Sequence, residues 1–181
     1  CGVGNWYQNS WNGIEFIHSR NSTFTNPSFE SGNVDPWNWF DPGACNRAIY
    51  SNSTISHDGN YYLATNRNNN YDTCKSFYQD IAQTPAAGDN LRFGIWIRPR
   101  SSDLTVEGKL AVWALGGDPE SENTPFSVTG SQWQCVEASL PVQNDGHDGV
   151  RTEIYLESNH SADYFFDDAS FVRNGGAICP D

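Results

Sequence analysis

Two segments, "NLRFGIWIRPR" (residues 90–100) and "KLAVWALGG" (residues 109–117), alternate apolar side chains with a period of two, and no stretch sustains a period of 3.6. A side chain on the same face at every second position is the geometry of a pleated strand, so the chain is committed to β structure. In the first run Leu91, Phe93, Ile95 and Ile97 share one face, and Arg92, Trp96 and Arg98 the other. Further short runs, "AIYSNS", "NYYLATN", "SFYQDIAQ", "SQWQCVEASLPV", "TEIYLES" and "DYFFDDASFV", are separated by Gly, Asn and Asp turn signals. Short strands at this spacing, with almost no helix, predict an all-β fold, an antiparallel β-sandwich of jelly-roll type. The 181 residues suffice for one domain with a proper core. Residues 25–181 are expected to form the sandwich. Residues 1–24, which read poorly as regular structure, are expected to be an N-terminal extension packed on it.

Charge narrows the partners. Asp and Glu number 22 against 10 Lys and Arg, a net charge of -12. Nucleic acid and anionic membrane surfaces would repel such a chain. Nor does any run approach the roughly 20 apolar residues that cross a bilayer, so membrane insertion is not expected. Aromatic residues make up 14% of the chain and charged residues only 18%, with Asn, Ser, Gly and Thr filling much of the rest, which predicts a secreted or extracellular β protein. The chain contains no methionine, which reads as a processed product or a piece of a parent protein with further domains.

Five cysteines agree with an oxidising compartment, and no Cys/His spacing suggests zinc. Cys1 and Cys179 lie at opposite ends, and the termini of a sandwich often lie close together, so a bridge between them is expected. Cys45 and Cys74, in polar loops flanking the early strands, form the second expected pair. Cys135 is then the leftover thiol. Asn21, Asn52 and Asn159 each open a glycosylation sequon.

Four segments in order, "NPSFESG…W", "SHDGNYYLATNR…YD", "FYQDIA…GDNLRFGIWIRPR" and "TEIYLES…ADYFFDDASFV", resemble the carbohydrate-binding modules of families 4, 9, 16 and 22, and xylan-binding family 22 in particular. The resemblance covers roughly residues 25–173. It implies a galactose-binding-like sandwich with a structural calcium ion on one side and a glycan groove across its concave face. In that scheme Glu30 of "NPSFESG" is a calcium ligand, "SHDGNYYL" supplies backbone carbonyls, and Asp167 or Asp168 of "FFDDASF" completes the site. Carboxylates and carbonyls from distant segments are the hard oxygen donors that calcium takes. Strand alternation places Asp167 and Asp168 on opposite faces, so only one of them would be the principal ligand.

On the glycan face the resemblance implies Arg67 before an aromatic platform at Tyr71, where the family more often has Trp, and Glu157 as a hydrogen-bonding partner of sugar hydroxyls. Tyr155 shares the face of Glu157 by the period of two. Trp96 and Trp113 are out of phase with the aliphatic residues of their own strands and so face away from the core. Sugars stack their C–H faces on aromatic rings and meet carboxylates, amides and guanidinium groups through their hydroxyls. One strand face bearing Trp96, Arg98, Trp113, Tyr155 and Glu157 would supply that chemistry, unless an outer loop or the N-terminal segment covers the tryptophans. His57 reads as shaping its loop, His147 and His160 as solvated, Trp37 and Trp39 as loop anchors, and Trp133 as core or rim packing.

Catalysis fits less well. Glu153 and Glu157 lie on one face of one strand about 13 Å apart, beyond the roughly 5–5.5 Å or 6.5–9.5 Å of glycosidase carboxylate pairs. No nucleophile elbow or HExxH occurs, and basic residues that a uronate lyase would need are scarce. The expected function is therefore non-catalytic binding of a neutral polysaccharide or oligosaccharide of the xylan or β-glucan type. The alternative is a secreted structural or adhesion module that has lost its sugar groove and binds protein or a cell surface. A jelly-roll hydrolase or lyase ranks last.

Overall fold

The computed structural model describes residues 24–40, 47–66, 75–158 and 163–180. These contain ten strands and no helix: β1 (Asn38–Phe40), β2 (Arg47–Ser51), β3 (Tyr61–Thr65), β4 (Ser76–Ile81), β5 (Asn90–Pro99), β6 (Thr105–Leu115), β7 (Glu120–Thr129), β8 (Gln134–Pro141), β9 (Gly149–Leu156) and β10 (Tyr164–Arg173). They form two five-stranded antiparallel sheets, in the orders β1-β4-β9-β6-β7 and β2-β3-β10-β5-β8. The predicted sandwich is the fold.

Alternation decides which face each strand buries. Leu91, Phe93, Ile95 and Ile97 of β5 are fully buried, as are Val106, Leu110, Val112 and Ala114 of β6. These inner faces meet the buried rings of Phe77 on β4 and Phe166 on β10, whose centroids lie 5.0 Å apart edge to face. Phe24 stacks on Trp37 at 5.4 Å and belongs to the core. Trp37 and Trp39 are likewise core residues, deeper than loop anchors, because Trp39 lies on β1 with its ring stacked on Phe77 at 5.1 Å. The rest of the expected extension, residues 1–23, lies outside the described residues.

The disulfide pattern differs from expectation. Cys179 is bridged to Cys135, with their Cα atoms 5.5 Å apart, rather than to Cys1. Cys135 faces outward on β8, paired in register with Trp96 of β5. The C-terminal segment crosses that outer face, where Ile178 sits against Gly94, leaving no room for a Cβ there. Glu137 accepts hydrogen bonds from the backbone N–H groups of Ile178 and Cys179 and so holds the segment in place for the bridge. Terminal proximity was the wrong guide because the tail runs along β8. The Cys45–Cys74 pairing and Cys1 lie outside the described residues.

Candidate functional site

Every second residue of β6 and β9 faces outward from the first sheet. Register aligns Trp113 with Arg151 and Ser121, Ala111 with Glu153 and Asn123, and Lys109 with Tyr155 and Pro125. Ala111 is the smallest of these, so a cleft of about 190 Å³ opens over it. Trp113 stands at one end, Tyr155 and the Lys109–Glu157 ion pair (2.8 Å) at the other, and Ser121 to Asn123 of the edge strand β7 form the side. Trp113 Nε1 is buried and has no hydrogen-bond partner among the described residues, an uncommon state for a ring N–H donor.

Tyr155 is fixed from below. Its hydroxyl donates to Glu153 (2.9 Å), and Glu153 also accepts from Ser76 Oγ (2.6 Å). Burial and the adjacent Glu153 carboxylate push the Tyr155 phenol well above its ordinary range, so it remains a neutral donor. Glu153, weighed in the sequence only as a catalytic partner of Glu157, is instead buried and positions the ring. Further along the same face Arg151 lies over the Tyr78 ring at 3.9 Å and makes two hydrogen bonds to Asp80 (2.7 and 2.9 Å). Phe40, half exposed, borders Tyr78 at 6.0 Å. Neither residue was singled out in the sequence, although both fall in phase with the outward positions of their strands.

Trp96 and Arg98 do not join this face. They lie on β5, in the second sheet, and point outward on the opposite side of the molecule. The loop before β3 covers them: the His57 ring stacks on Trp96 at 3.9 Å, and the Ile55 carbonyl accepts from Trp133 Nε1 (2.7 Å) and Arg98 (3.5 Å). The single sugar-binding surface expected from these residues is thus two surfaces. Alternation shows that a side chain leaves the core but not which sheet it leaves. Arg67 and Tyr71 lie outside the described residues.

The same loop meets the expected metal ligands. Asp167 is fully buried and accepts hydrogen bonds from the backbone N–H groups of His57 (2.8 Å), Asp58 (3.2 Å) and Asp168 (2.8 Å). Desolvation outweighs these bonds and pushes its carboxyl up to about 7. Glu30 accepts from the N–H groups of Asn60 (2.9 Å) and Tyr61 (2.8 Å). Asp168 does not point away from Asp167 as strict alternation requires. The pairing of β10 with β5 shifts between Asp167 and Ser170, Asp168 adopts a φ of 49°, and its carboxylate lies 3.6 Å from His57 Nδ1. No three His, Cys, Asp or Glu side chains among the described residues are gathered into a metal-binding group. The donors do fit a hard cation in kind, since all are carboxylate oxygens meeting one loop, and the buried Asp167 has no cationic side chain bonded to it among the described residues.

His147 was expected to be solvated, and it is buried. Its ring nitrogens lie 3.0 Å from the Gly116 carbonyl and 3.0 Å from Glu120 Oε1.

Solved structures with this fold include carbohydrate-binding modules. The chain is similar to a family 61 module solved with β-1,4-galactotriose, with a TM-score of 0.60 and 22% identity over 84% of this chain and 99% of that one. It is similar to the second family 22 xylan-binding domain of a Paenibacillus barcinonensis protein, with a TM-score of 0.58 and 16% identity over 81% and 96% of the two chains. A cyclase from Fischerella shares the fold at 11% identity, with a TM-score of 0.63 over 82% and 94%. No protein-family model matches the sequence, and no curated protein matches it significantly. At these identities the likeness is one of fold, and function has to be argued from the site.

Proposed function

We propose that the chain is a non-catalytic saccharide-binding domain. Its ligand is a neutral β-linked glycan, held in the cleft over Ala111. The observation that carries this reading is an indole and a neutral phenol flanking a small-residue floor beside an exposed ion pair, on an open sheet face. Trp113 offers a ring for the C–H face of a sugar, while Tyr155, Glu157, Lys109 and Asn123 offer donors and acceptors for its hydroxyls. The cleft is a shallow groove beside an edge strand, which suits an internal stretch of a long polymer. Xylan and β-glucan are the first candidates, and the galactotriose-bound neighbour adds β-1,4-galactan.

Catalysis has no support in the cleft, where Glu157 is tied to Lys109 and Glu153 to Tyr155 and Ser76. The Cys135–Cys179 bridge favours an oxidising, extracellular setting. We also propose that Glu30, Asp167 and Asp168 hold a structural calcium, which would supply a counter-charge that no described side chain gives the buried Asp167. Calorimetry against soluble xylan, mixed-linked glucan and galactan tests the main reading. Binding of at least one, lost in Trp113→Ala, is expected. Absence of binding to all three, or release of reducing ends during incubation, overturns it.

A further inference from the structure

One hydroxyl at the cleft over Ala111 has its proton already placed. A phenol carries a single proton and keeps acceptor lone pairs on the same oxygen. The proton of Tyr155 is given to Glu153 Oε2, 2.9 Å away, while the other oxygen of that carboxylate takes the Ser76 hydroxyl at 2.6 Å. A carboxylate only accepts, so Tyr155 cannot turn its proton elsewhere and keep this bond.

The register of the sheet builds the arrangement. Glu153 stands on β9 between Tyr78 of β4 and Ala111 of β6, and Tyr155 between Ser76 of β4 and Lys109 of β6. The two are separated by one residue on a single strand and therefore share a face. Their exposure differs: Glu153 is 3% exposed, whereas Tyr155 is half-buried and lines the cleft. A ligand in the cleft thus meets Tyr155, with Glu153 beneath the surface. A hydrogen bond to a charged acceptor is roughly twice as strong as one between neutral groups. A neutral sugar oxygen therefore competes poorly with Glu153 for the Tyr155 proton.

A fixed polarity follows. Toward a ligand, the Tyr155 hydroxyl offers lone pairs and no proton. An ether or ester oxygen set against it would bring lone pairs to lone pairs, whereas a free sugar hydroxyl can donate. We propose that Glu153 is the positioning residue that sets this polarity, and that the Tyr155 end of the cleft selects a glycan stretch whose hydroxyl there carries no ether or ester substituent. This role rests on the saccharide-binding reading of the cleft. Glu153 touches no sugar itself and acts through Tyr155.

The test is a double-mutant cycle on the whole chain, with Glu153→Leu and Tyr155→Phe made singly and together and titrated with xylohexaose by calorimetry. Glu153→Leu should weaken xylohexaose at least fivefold in the natural background. With Tyr155→Phe already in place it should cost less than twofold, because no hydroxyl remains to be positioned. Per-O-methylated xylohexaose, which has acceptors and no donors, should bind the natural chain at least tenfold more weakly than xylohexaose. That ratio should shrink in Glu153→Leu, where the Tyr155 proton is free to turn toward the ligand. Because Glu153→Leu could disturb the fold, ionisation of Tyr155 is also followed without ligand, from its Cζ signal by NMR, in the natural chain and in Glu153→Gln. Burial and then the bond to Glu153 hold this phenol high, with Arg151 opposing them, so Glu153→Gln should let it ionise at lower pH. The proposal is overturned if Glu153→Leu weakens xylohexaose equally in both backgrounds, or if the methylated ligand binds as tightly as its parent. It is equally overturned if Tyr155 ionises at the same pH in the natural chain and in Glu153→Gln. Absence of xylohexaose binding by the natural chain would overturn the reading of the cleft and this role with it. Binding that is lost in Trp113→Ala but untouched by Glu153→Leu would overturn this role alone.

Discussion

Trp113 and Trp96 occupy equivalent positions in their own strands: each interrupts an aliphatic run and points out of the sandwich. Their surroundings differ. Trp113 borders an open cleft on the first sheet, whereas Trp96 is capped by the His57 ring and enclosed by a loop pinned through Ile55 and Asp167. The same local pattern thus lines a cleft on one sheet and packs beneath a loop on the other. What separates them is the loop of residues 52–60, which folds over β5 because backbone N–H groups at its turn reach the buried Asp167.

Exchanging the two tryptophans for alanine is the strongest way to break this comparison. Trp96→Ala removes a ring that supports the loop and should cost about 3 kcal/mol, lowering the melting temperature by roughly 6–12 °C in a domain of this size. Sugar affinity should be unchanged. Trp113→Ala should leave melting nearly untouched and weaken glycan binding by about 2 kcal/mol, close to thirtyfold. Equal melting losses for the two variants would mean that the faces are not differentiated as described.

Calcium sharpens the contrast, because its proposed ligands all touch the loop that covers Trp96. An ion present at a hundredfold excess over its dissociation constant would stabilise the fold by about 2.7 kcal/mol. Chelator should therefore lower the melting temperature of the natural chain, and should do so much less in Asp167→Asn. A melting curve indifferent to chelator, with no metal found by elemental analysis, removes the ion from the account.

Glu157→Ala acts on the other face alone. It deletes one proposed charged partner of the sugar hydroxyls and removes the carboxylate of the exposed Lys109–Glu157 ion pair. A loss of about 1.5 kcal/mol in binding, roughly tenfold, is expected with little change in melting. Unfolding of this variant with sugar affinity retained would place Glu157 in the structure rather than in the site.

The inner faces were legible because alternation in β5 and β6 has one physical solution, burial of Leu91 to Ile97 and Val106 to Ala114 between two sheets. Tyr155 and Glu157 were legible as neighbours for the same reason, Tyr155 near the end of β9 and Glu157 just beyond it bordering one cleft. What local pattern does not contain is which sheet a strand joins, and this separated Trp96 and Arg98 from Trp113. Nor does it contain bulges. The shift after Asp167 turns Asp168 toward the same loop that Asp167 meets, where a regular strand would have sent it to the other face. Cys179 was misassigned because the path of the tail along β8 depends on Glu137 and Gly94, residues far from it in sequence. His147 looked solvated among Gly, Asn and Asp, since its partners Gly116 and Glu120 lie on another hairpin.

That histidine gives the smallest effect, and it belongs to the first sheet alone. The hairpin from β6 to β7 turns through Gly116 and Gly117, with φ of 82° and 56°, and brings Glu120 against the loop before β9. Both ring nitrogens of His147 face acceptors, so only the doubly protonated ring satisfies both. Burial opposes that charge, but the hydrogen bonds to Glu120 and the Gly116 carbonyl outweigh it and raise the His147 pKa above 6.5. Burial also opposes the Glu120 carboxylate, and the N–H groups of Gln143 and Asn144 together with His147 outweigh it, holding that pKa below 4.5. The histidine contribution is then complete below pH 6.5 and fades as pH rises through its folded-state value, whereas the Glu120 contribution is present above pH 4.5 and fades on acidification. Melting of the natural chain and of His147→Asn should differ most between those two limits, and the difference should shrink as pH rises through the folded-state value of His147. A melting difference that stays constant from pH 5.5 to 9 would show that His147 is held as a neutral ring, and its contact with Glu120 would then be an ordinary hydrogen bond rather than an ion pair.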